Sequence, residues 1–151
     1  MSEWPRDGFV VTDDSARVDF DVVHGYLSGE SYWAKGRSRA ATETACAASW
    51  CFSLFDERTG AQVGFARLLT DHVTFGWLAD VFVLPDFQGR GLGHFLVGCV
   101  VDAAADVSRL FLGTRDAHGV YGDLGFTAIG HPDRLMELLR VPLAPNLADA
   151  E

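Results

Sequence analysis

Residues 75–105 run from an apolar stretch through a glycine-rich turn into a helical pattern, and this order constrains the fold more than any other part of the chain. Phe75–Leu84 is apolar almost throughout, which is typical of a strand buried on both faces, and Pro85 ends it. Apolar residues then recur at helical spacing along Gly91–Ala105. Because Leu110–Thr114 has the pattern of another strand, we predict a right-handed parallel crossover.

Further elements flank this unit on both sides. The N-terminal patterns predict two helices and three strands, at Asp19–Leu27, Arg39–Ala48, Phe9–Thr12, Ser49–Phe55 and Gln62–Thr70. The C-terminal patterns predict a short helix and two closing strands, at His118–Leu124, Phe126–Ile129 and Met136–Val141. The order indicates a mixed α/β domain with a central mixed sheet of about seven strands flanked by about four helices. We expect one domain over residues 1–151, with a loose tail at 142–151.

Charge and composition argue against several classes of function. The net charge of −9 disfavours a broad nucleic-acid interface, which rests on Lys and Arg meeting phosphates; the acidity either attracts a cationic partner or aids solubility. No apolar stretch approaches the roughly 18 residues of a membrane span, and the N-terminus lacks the pattern of a signal peptide. Three cysteines and five histidines show no metal-binding spacing. We therefore expect a cytoplasmic protein with no metal, no nucleic-acid partner and no membrane.

The turn between the apolar strand and the helix has alternating glycines, at Gly89, Gly91 and Gly93. Glycines let the backbone approach a ligand closely, and the first N–H groups of a helix attract anions. This combination is typical of a phosphate seat, with Arg90 as a cation at its rim. The spacing differs from that of a P-loop and from the dinucleotide-binding motif. A turn that binds no ligand is the alternative.

The spacing Gln88-x-x-Gly91-x-Gly93 matches the Q/R-x-x-G-x-G/A signature, and here the chain resembles the GNAT superfamily of acyl-CoA-dependent N-acetyltransferases. Downstream, AHGVYGDLGF at residues 117–126 is similar to the family's A-x-x-F-Y-x-x-x-G-F. The resemblance implies acetyl-CoA as co-substrate, bound at the splay after the central strand, and suggests a homodimer. It implies that the pantetheine arm contacts Phe82 and Val83. The implied pyrophosphate contacts are Gln88, Gly89, Arg90, Gly91, Leu92 and Gly93.

The chain departs from the family's pattern at three places. Thr114 stands where many members have Asn, and Val120 stands where a Phe is common. Some amine-acetylating relatives read Leu-Glu-Asp before the signature, whereas this chain has Leu78-Ala79-Asp80. A glutamate base at position 79 is therefore missing, and an acyl-CoA-binding regulatory module without catalysis stays open as an alternative.

Acetyl transfer to an amine needs a deprotonated amine, a stabilised carbonyl oxygen and a proton for the leaving thiolate. No Cys-His or Ser-His pairing points to a covalent intermediate, so we expect direct transfer in a ternary complex. We assign Tyr121 as general acid, because the ordinary tyrosine pKa of about 10 is near that of an alkyl thiol. Asp80 and His118 are candidate bases, with His72 as a third, and the resemblance implies an oxyanion donor near Val83.

The acceptor is expected to be a small-molecule amine, bound by the first helices and the loop that follows them. In the family such a region walls the acceptor pocket, and here it contains Tyr26, Glu30, Tyr32 and Trp33. Aromatic rings with an acid suit a cation; alternatively, Tyr32 and Trp33 only cover the sheet. Trp50 and Trp77 lie in apolar strands and are expected in the core. A protein or peptide amine is the alternative acceptor.

Overall fold

A six-stranded sheet organises residues 1–141, which are the part of the chain that the computed structural model describes. The strands lie in the order in which they occur along the chain. Neighbouring strands are antiparallel except β5 and β6, which are parallel, so the predicted parallel arrangement is confirmed. The strands are β1 (Glu3–Arg6), β2 (Phe9–Thr12), β3 (Trp50–Asp56), β4 (Ala61–Thr70), β5 (Gly76–Val83) and β6 (Leu110–Leu112).

In the described part of the chain, four α-helices connect and cover the strands, namely α1 (Phe20–Gly29), α2 (Arg39–Ala47), α3 (Leu92–Ala103) and α4 (His118–Asp123). Side chains cap the first two. The Asp19 carboxylate accepts hydrogen bonds from the first-turn N–H groups of α1, and the Ser38 hydroxyl accepts one from the N–H of Ala41 in α2. Such caps satisfy donors that have no partner inside the helix. They fix where α1 and α2 begin.

The buried side chains form two clusters, one on each face of the sheet. Successive residues of a strand point to opposite faces, and Phe82 belongs to one cluster whereas Val83 belongs to the other. The larger cluster packs the sheet against α3, where Leu96 and Val100 are fully buried. The smaller cluster packs it against α1 and α2. The end of β5 at Phe82 and Val83 is therefore buried on both faces, whereas earlier in the strand only alternate residues are buried, so the prediction of a strand buried on both faces holds only for its end.

The strand prediction was wrong at both ends of the chain. Neither Phe126–Ile129 nor Met136–Val141 forms a strand; the Phe126 N–H instead bonds locally to the Tyr121 carbonyl at 3.1 Å. Apolar composition suggested strands, but a strand needs a partner for its backbone groups. Conversely, β1 was not expected, because it is short, contains Pro5 and buries little, as an edge strand can. The predicted loose tail lies outside the described residues.

Candidate active site

A β-bulge interrupts β5 at Asp80, in the middle of the sheet. The pairing passes from Phe65 opposite Phe82 to Arg67 opposite Ala79, so β5 has one residue more than β4 between these pairs. Asp80 has a φ of 54°, a left-handed conformation in which aspartate is enriched over most residues. Bulges redirect side chains and are frequent next to functional sites. This one brings the Asp80 carboxylate against the loop between α1 and α2.

Three side chains hold the Asp80 carboxylate. The Trp33 Nε1–H donates to Oδ1 at 2.9 Å, and Arg37 Nη1 and Arg67 Nε both donate to Oδ2 at 2.7 Å. Burial, which leaves the Asp80 side chain 2% exposed, would raise its pKa, but the hydrogen bonds and charges of the two arginines outweigh burial. The pKa of Asp80 is therefore lower than its ordinary value, and the carboxylate is ionised at neutral pH.

A pocket of about 510 Å³ lies beside this cluster, within the range of roughly 300–1,000 Å³ usual for small-molecule sites. It is lined by three parts of the chain that are distant in sequence. These are the loop after α1, the first half of β5 with its β4 neighbour, and the segment from the end of β6 into α4. The lining residues are Tyr32, Trp33, Arg37, Arg67, Trp77, Leu78, Ala79, Asp80, Val81, Gly113, Thr114, Arg115, Asp116, Ala117 and Tyr121.

The pocket adjoins a gap between β5 and β6. Among residues 1–141, β6 pairs with β5 only at Gly76, Trp77 and Leu78, and the rest of β5, up to Val83, has β4 as its one strand partner. An unpaired strand edge can accept an added extended chain through main-chain hydrogen bonds. Residues on both sides of the gap line the pocket, so a ligand in the gap and a ligand in the pocket would meet.

Tyr121 lines the pocket from α4. Its ring packs edge-on against Phe126, with ring centroids 5.8 Å apart. Burial, with smaller contributions from Tyr32 and Asp116, raises the pKa of Tyr121 to about 12. The hydroxyl is therefore protonated across the neutral range and available as a hydrogen-bond donor. Thr114 shapes the turn before α4, because its hydroxyl accepts a hydrogen bond from the Ala117 N–H at 3.1 Å.

The glycine turn lies between the end of β5 and the start of α3. Gly89 and Gly91 both have φ of 77°, which other residues adopt only with strain, and α3 begins after Gly91 with no side-chain cap. The N–H groups of its first turn therefore lack a side-chain partner and suit an anion. Gln88 ties the turn to β5, since its Nε2 donates to the Val83 carbonyl at 2.9 Å. Arg90 is exposed and donates to the Asp86 carbonyl at 3.2 Å.

The structure brings together four of the residues predicted for catalysis and acceptor binding: Tyr32, Trp33, Asp80 and Tyr121 all line the pocket. Tyr26 instead stacks on Phe82, with ring centroids 4.2 Å apart, and packs against the smaller core cluster.

Glu30 and His118 are exposed and do not line the pocket. Exposed His72 packs against Trp50 at 4.9 Å between ring centroids and is also outside the lining. The side chains of Phe82 and Val83 are buried in opposite clusters, so only their backbone is available to a ligand in the gap.

Arg37, Arg67 and Trp77 are pocket residues that the sequence analysis did not assign to the site. The placement of Trp77 in the core was wrong: it is 41% exposed. Arg67 carried a usable signal, because a lone charge inside an apolar strand is costly to bury unless it is paired. Arg37 gave no such signal, since it lies in a polar loop and contacts Asp80 only through the tertiary fold.

Within residues 1–141, no three His, Cys, Asp or Glu side chains come together as a metal site. In the same part of the chain, no helix has the length and apolar character needed to cross a membrane. Cys46, Cys51 and Cys99 are buried free thiols.

Comparison with known proteins gives consistent matches. Residues 20–126 match the model of the acetyltransferase (GNAT) family. The Gibberella zeae protein FG08082, whose name describes it as a candidate acetyltransferase, is 31% identical over 139 residues, covering 79% of this chain and 78% of that protein.

Two solved structures illustrate the likeness of fold. A candidate acetyltransferase of the GNAT family from Xanthomonas campestris pv. campestris has 38% identity and a TM-score of 0.81, covering 89% of this chain and 95% of that one. Rv2747 of Mycobacterium tuberculosis, solved in complex with CoA and NLQ, has 20% identity and a TM-score of 0.65, covering 79% of this chain and 72% of that one.

Proposed function

We propose that this chain, which belongs to the acetyltransferase (GNAT) family, transfers the acetyl group of acetyl-CoA to a primary amine of a small molecule. The amine attacks directly in a ternary complex. The observation that carries this proposal is the position of the pocket at the gap between β5 and β6, with the Tyr121 side chain in its lining. An acyl donor in the gap and an amine in the pocket would then be neighbours.

The residues present fit coenzyme A. The unpaired edge of β5 suits the amide groups of pantetheine, and the uncapped start of α3 suits a pyrophosphate. A Cβ built at Gly89 or Gly91 would meet no atom within 4 Å, so the positive φ explains glycine there and the space beside both is open. Bound acetyl-CoA would supply a thioester carbonyl as the site of attack.

Tyr121 acts in this proposal as a hydrogen-bond donor to the leaving sulfur. A tyrosine with a pKa of about 12 is a weaker acid than an alkyl thiol, whose pKa is near the ordinary tyrosine value of about 10. Complete proton transfer from Tyr121 to the thiolate would therefore be uphill, contrary to the balance expected from the ordinary tyrosine value. Its hydrogen bond nevertheless stabilises charge that develops on sulfur.

Asp80 is proposed to position Arg37 and Arg67 and not to accept the proton of the amine. Two arginines hold its pKa below the ordinary value, and a base that ionises so readily has little affinity for a proton at neutral pH. His118 lies outside the pocket lining. We therefore propose that the acceptor loses its proton to water at the pocket. The dimensions of the pocket favour a small acceptor over a protein amine.

The test is a thiol-release assay with acetyl-CoA and a panel of small primary amines, read together with the mass of the product. Acetylated product and free CoA in equal amounts would support the proposal. Binding of acetyl-CoA without turnover on any small amine or on peptide amines would favour the non-catalytic module. Turnover on peptide amines alone would replace the acceptor class.

A further inference from the structure

Arginines outnumber carboxylates in the pocket, although the chain as a whole carries a net charge of −9. Arg115 and Asp116 both line the pocket. Arg115 Nη2 lies 3.8 Å from Asp116 Oδ2, so the two charges balance each other. The remaining charged lining residues are Arg37, Arg67 and Asp80, two cations against one anion. One positive charge in this group has no acidic partner in the pocket lining.

The two arginines also have unused donors. A guanidinium carries five N–H groups. Arg37 donates only through Nη1 to Asp80, whereas Arg67 donates through Nε to Asp80 and through Nη1 to the Ser49 hydroxyl at 3.2 Å. Among residues 1–141 no further acceptor bonds to either guanidinium. Nε and Nη2 of Arg37 and Nη2 of Arg67 are therefore available to a ligand.

Partial burial of the two arginines strengthens their attraction for an anion. The side chains of Arg37 and Arg67 are 26% and 15% exposed, so water hydrates their charge incompletely. A partly desolvated cation with free N–H groups gains more from an anion than a fully hydrated one does. The planar guanidinium matches a carboxylate through two parallel hydrogen bonds.

Asp80 offers little to a cationic ligand. A carboxylate has about four lone-pair sites, and Trp33, Arg37 and Arg67 already occupy three of them. Glu30, the acid expected to attract a cation, lies outside the pocket lining. The charged part of the pocket is therefore suited to an anion.

Aromatic rings form the apolar part of the same pocket. Tyr32 and Trp33 pack edge to face with ring centroids 5.0 Å apart, and Trp77 is 41% exposed. Leu69 and Phe111 are the register partners of Trp77 on the neighbouring strands, and Leu69 is 44% exposed. This row continues the apolar surface beyond the pocket and suits an acceptor with an apolar body.

We propose that the acceptor is an amino-acid-like molecule, a primary amine that also carries a carboxylate and an apolar side chain, and that Arg37 and Arg67 bind its carboxylate. This inference rests on the proposed acetyl transfer to an amine. The acceptor carboxylate binds the free N–H groups of the arginine pair, its apolar part lies against the aromatic rings, and its amine points to the gap beside Tyr121.

The carboxylate is unchanged by the reaction. The amine nitrogen forms a bond to the acetyl carbonyl carbon, the bond from that carbon to sulfur breaks, and the electron pair leaves with sulfur. The proton lost from nitrogen appears on water or on the thiol, so the products are an N-acetyl amino acid and free CoA. No oxidant or reductant is required.

Binding of a matched pair of probes tests the inference without relying on turnover. The probes are 3-phenylpropionate and its neutral amide, titrated calorimetrically into the wild-type protein. We expect the carboxylate to bind at least tenfold more tightly than the amide, and Arg37→Gln to abolish this preference. Equal affinity of the two probes, or no binding of the carboxylate, would overturn the inference. Tighter binding of phenylphosphonate would overturn the choice of carboxylate.

Arg39→Gln is the matched control for Arg37→Gln. It changes the charge by the same amount in a neighbouring arginine, but Arg39 pairs with Asp21 and Glu43 at the surface and does not line the pocket. We expect the control to keep the wild-type probe preference. An equal loss in both variants would show that general charge is responsible and would refute the role of Arg37. Thermal melts of both variants identify a folding defect, and Arg37→Lys, which keeps the charge, provides a second variant.

Turnover separates failure of this inference from failure of the proposed function. Phenylalanine and phenethylamine differ by the carboxylate, and we expect kcat/KM for phenylalanine to be at least tenfold higher, with the difference lost in Arg37→Gln. Equal acetylation of the two amines would overturn the inference and leave acetyl transfer intact. If no amine is acetylated, the proposed function fails, and the probe titration alone decides whether the arginine pair binds a carboxylate.

Discussion

The indole N–H of Trp33 donates a 2.9 Å hydrogen bond to the Asp80 carboxylate, although the two residues are 47 positions apart in the chain. This bond joins the loop after α1 to the bulge of β5. The wall of the pocket and the distorted strand therefore support each other. The left-handed backbone at Asp80 is costly by itself, and the surrounding hydrogen bonds stabilise it.

Trp33→Phe is expected to destabilise the fold, because it keeps an aromatic ring but removes the N–H donor to a buried carboxylate. A hydrogen bond to a charged group contributes about 1.5–3 kcal/mol, and chemical denaturation should show a loss of about that size. Trp4→Phe is the control: Trp4 is half-buried against the core, but its Nε1–H donates to Asp102 Oδ2 through a solvent-exposed hydrogen bond of 3.3 Å. An equally small loss in both variants would contradict a supporting role for Trp33.

Asp80→Asn should destabilise the fold more than Trp33→Phe does, because it leaves Arg37 and Arg67 close together without the buried anion. Breaking a buried ion pair costs about 3–5 kcal/mol, a range that partial exposure of the arginines places at its lower end here. The measurement is the free energy of unfolding of the variant against the wild type at pH 7. Wild-type stability in Asp80→Asn would contradict the positioning role.

The contribution of the Asp80 carboxylate to the free energy of unfolding depends on pH, and the direction of its pKa shift fixes the sign. The pKa of Asp80 is lower in the folded protein than its ordinary value, which is about 3.9. Its contribution is therefore complete above about pH 4 and is lost as the pH falls through the folded-state pKa. The stability difference between wild type and Asp80→Asn should narrow in acid. A stability difference that stays constant down to pH 2 would contradict a stabilising role for the ionised Asp80 carboxylate.

Tyr121→Phe should lower kcat by about 10²-fold or more, as removal of a catalytic hydrogen bond does, while acetyl-CoA affinity stays within about twofold. Because the pKa of Tyr121 is about 12, deprotonation of its hydroxyl should cause no loss of activity up to about pH 10. A stopped assay with the best amine from the panel measures both effects. Unchanged turnover would remove Tyr121 from the mechanism.

Gly91→Ala tests the turn itself. The φ of 77° places a Cβ in a conformation that costs roughly 1–2 kcal/mol, so a thermal melt should show a lower Tm. Gly98→Ala is the control in the interior of α3, where a Cβ would meet Leu124 Cδ2 at an ordinary 3.7 Å. Alanine favours a helix, so this variant should melt at or above the wild-type temperature. Equal Tm values for the two variants would contradict backbone strain at position 91.

Local patterns in the sequence predicted the helices and the central strands well, because amphipathic spacing and glycine or proline punctuation are local signals. Motif spacing pointed to the glycine turn, which precedes α3, and to Tyr121, which lines the pocket. The sequence did not predict the bulge at Asp80, since the register of β5 depends on its pairing with β4. Arg37 joins the site only through the fold, and the closing strands failed because apolar composition at Met136–Val141 does not provide a partner strand.

Binding of acetyl-CoA is tested by calorimetric titration of the purified protein, with NAD and ATP as controls. We expect saturable binding of acetyl-CoA alone, greatly weakened by Gly91→Asp, which adds a negative charge and a strained Cβ at the start of α3. Retained binding in Gly98→Ala would show that the loss is specific to the turn. Absence of acetyl-CoA binding to the folded wild-type protein would contradict the central claim.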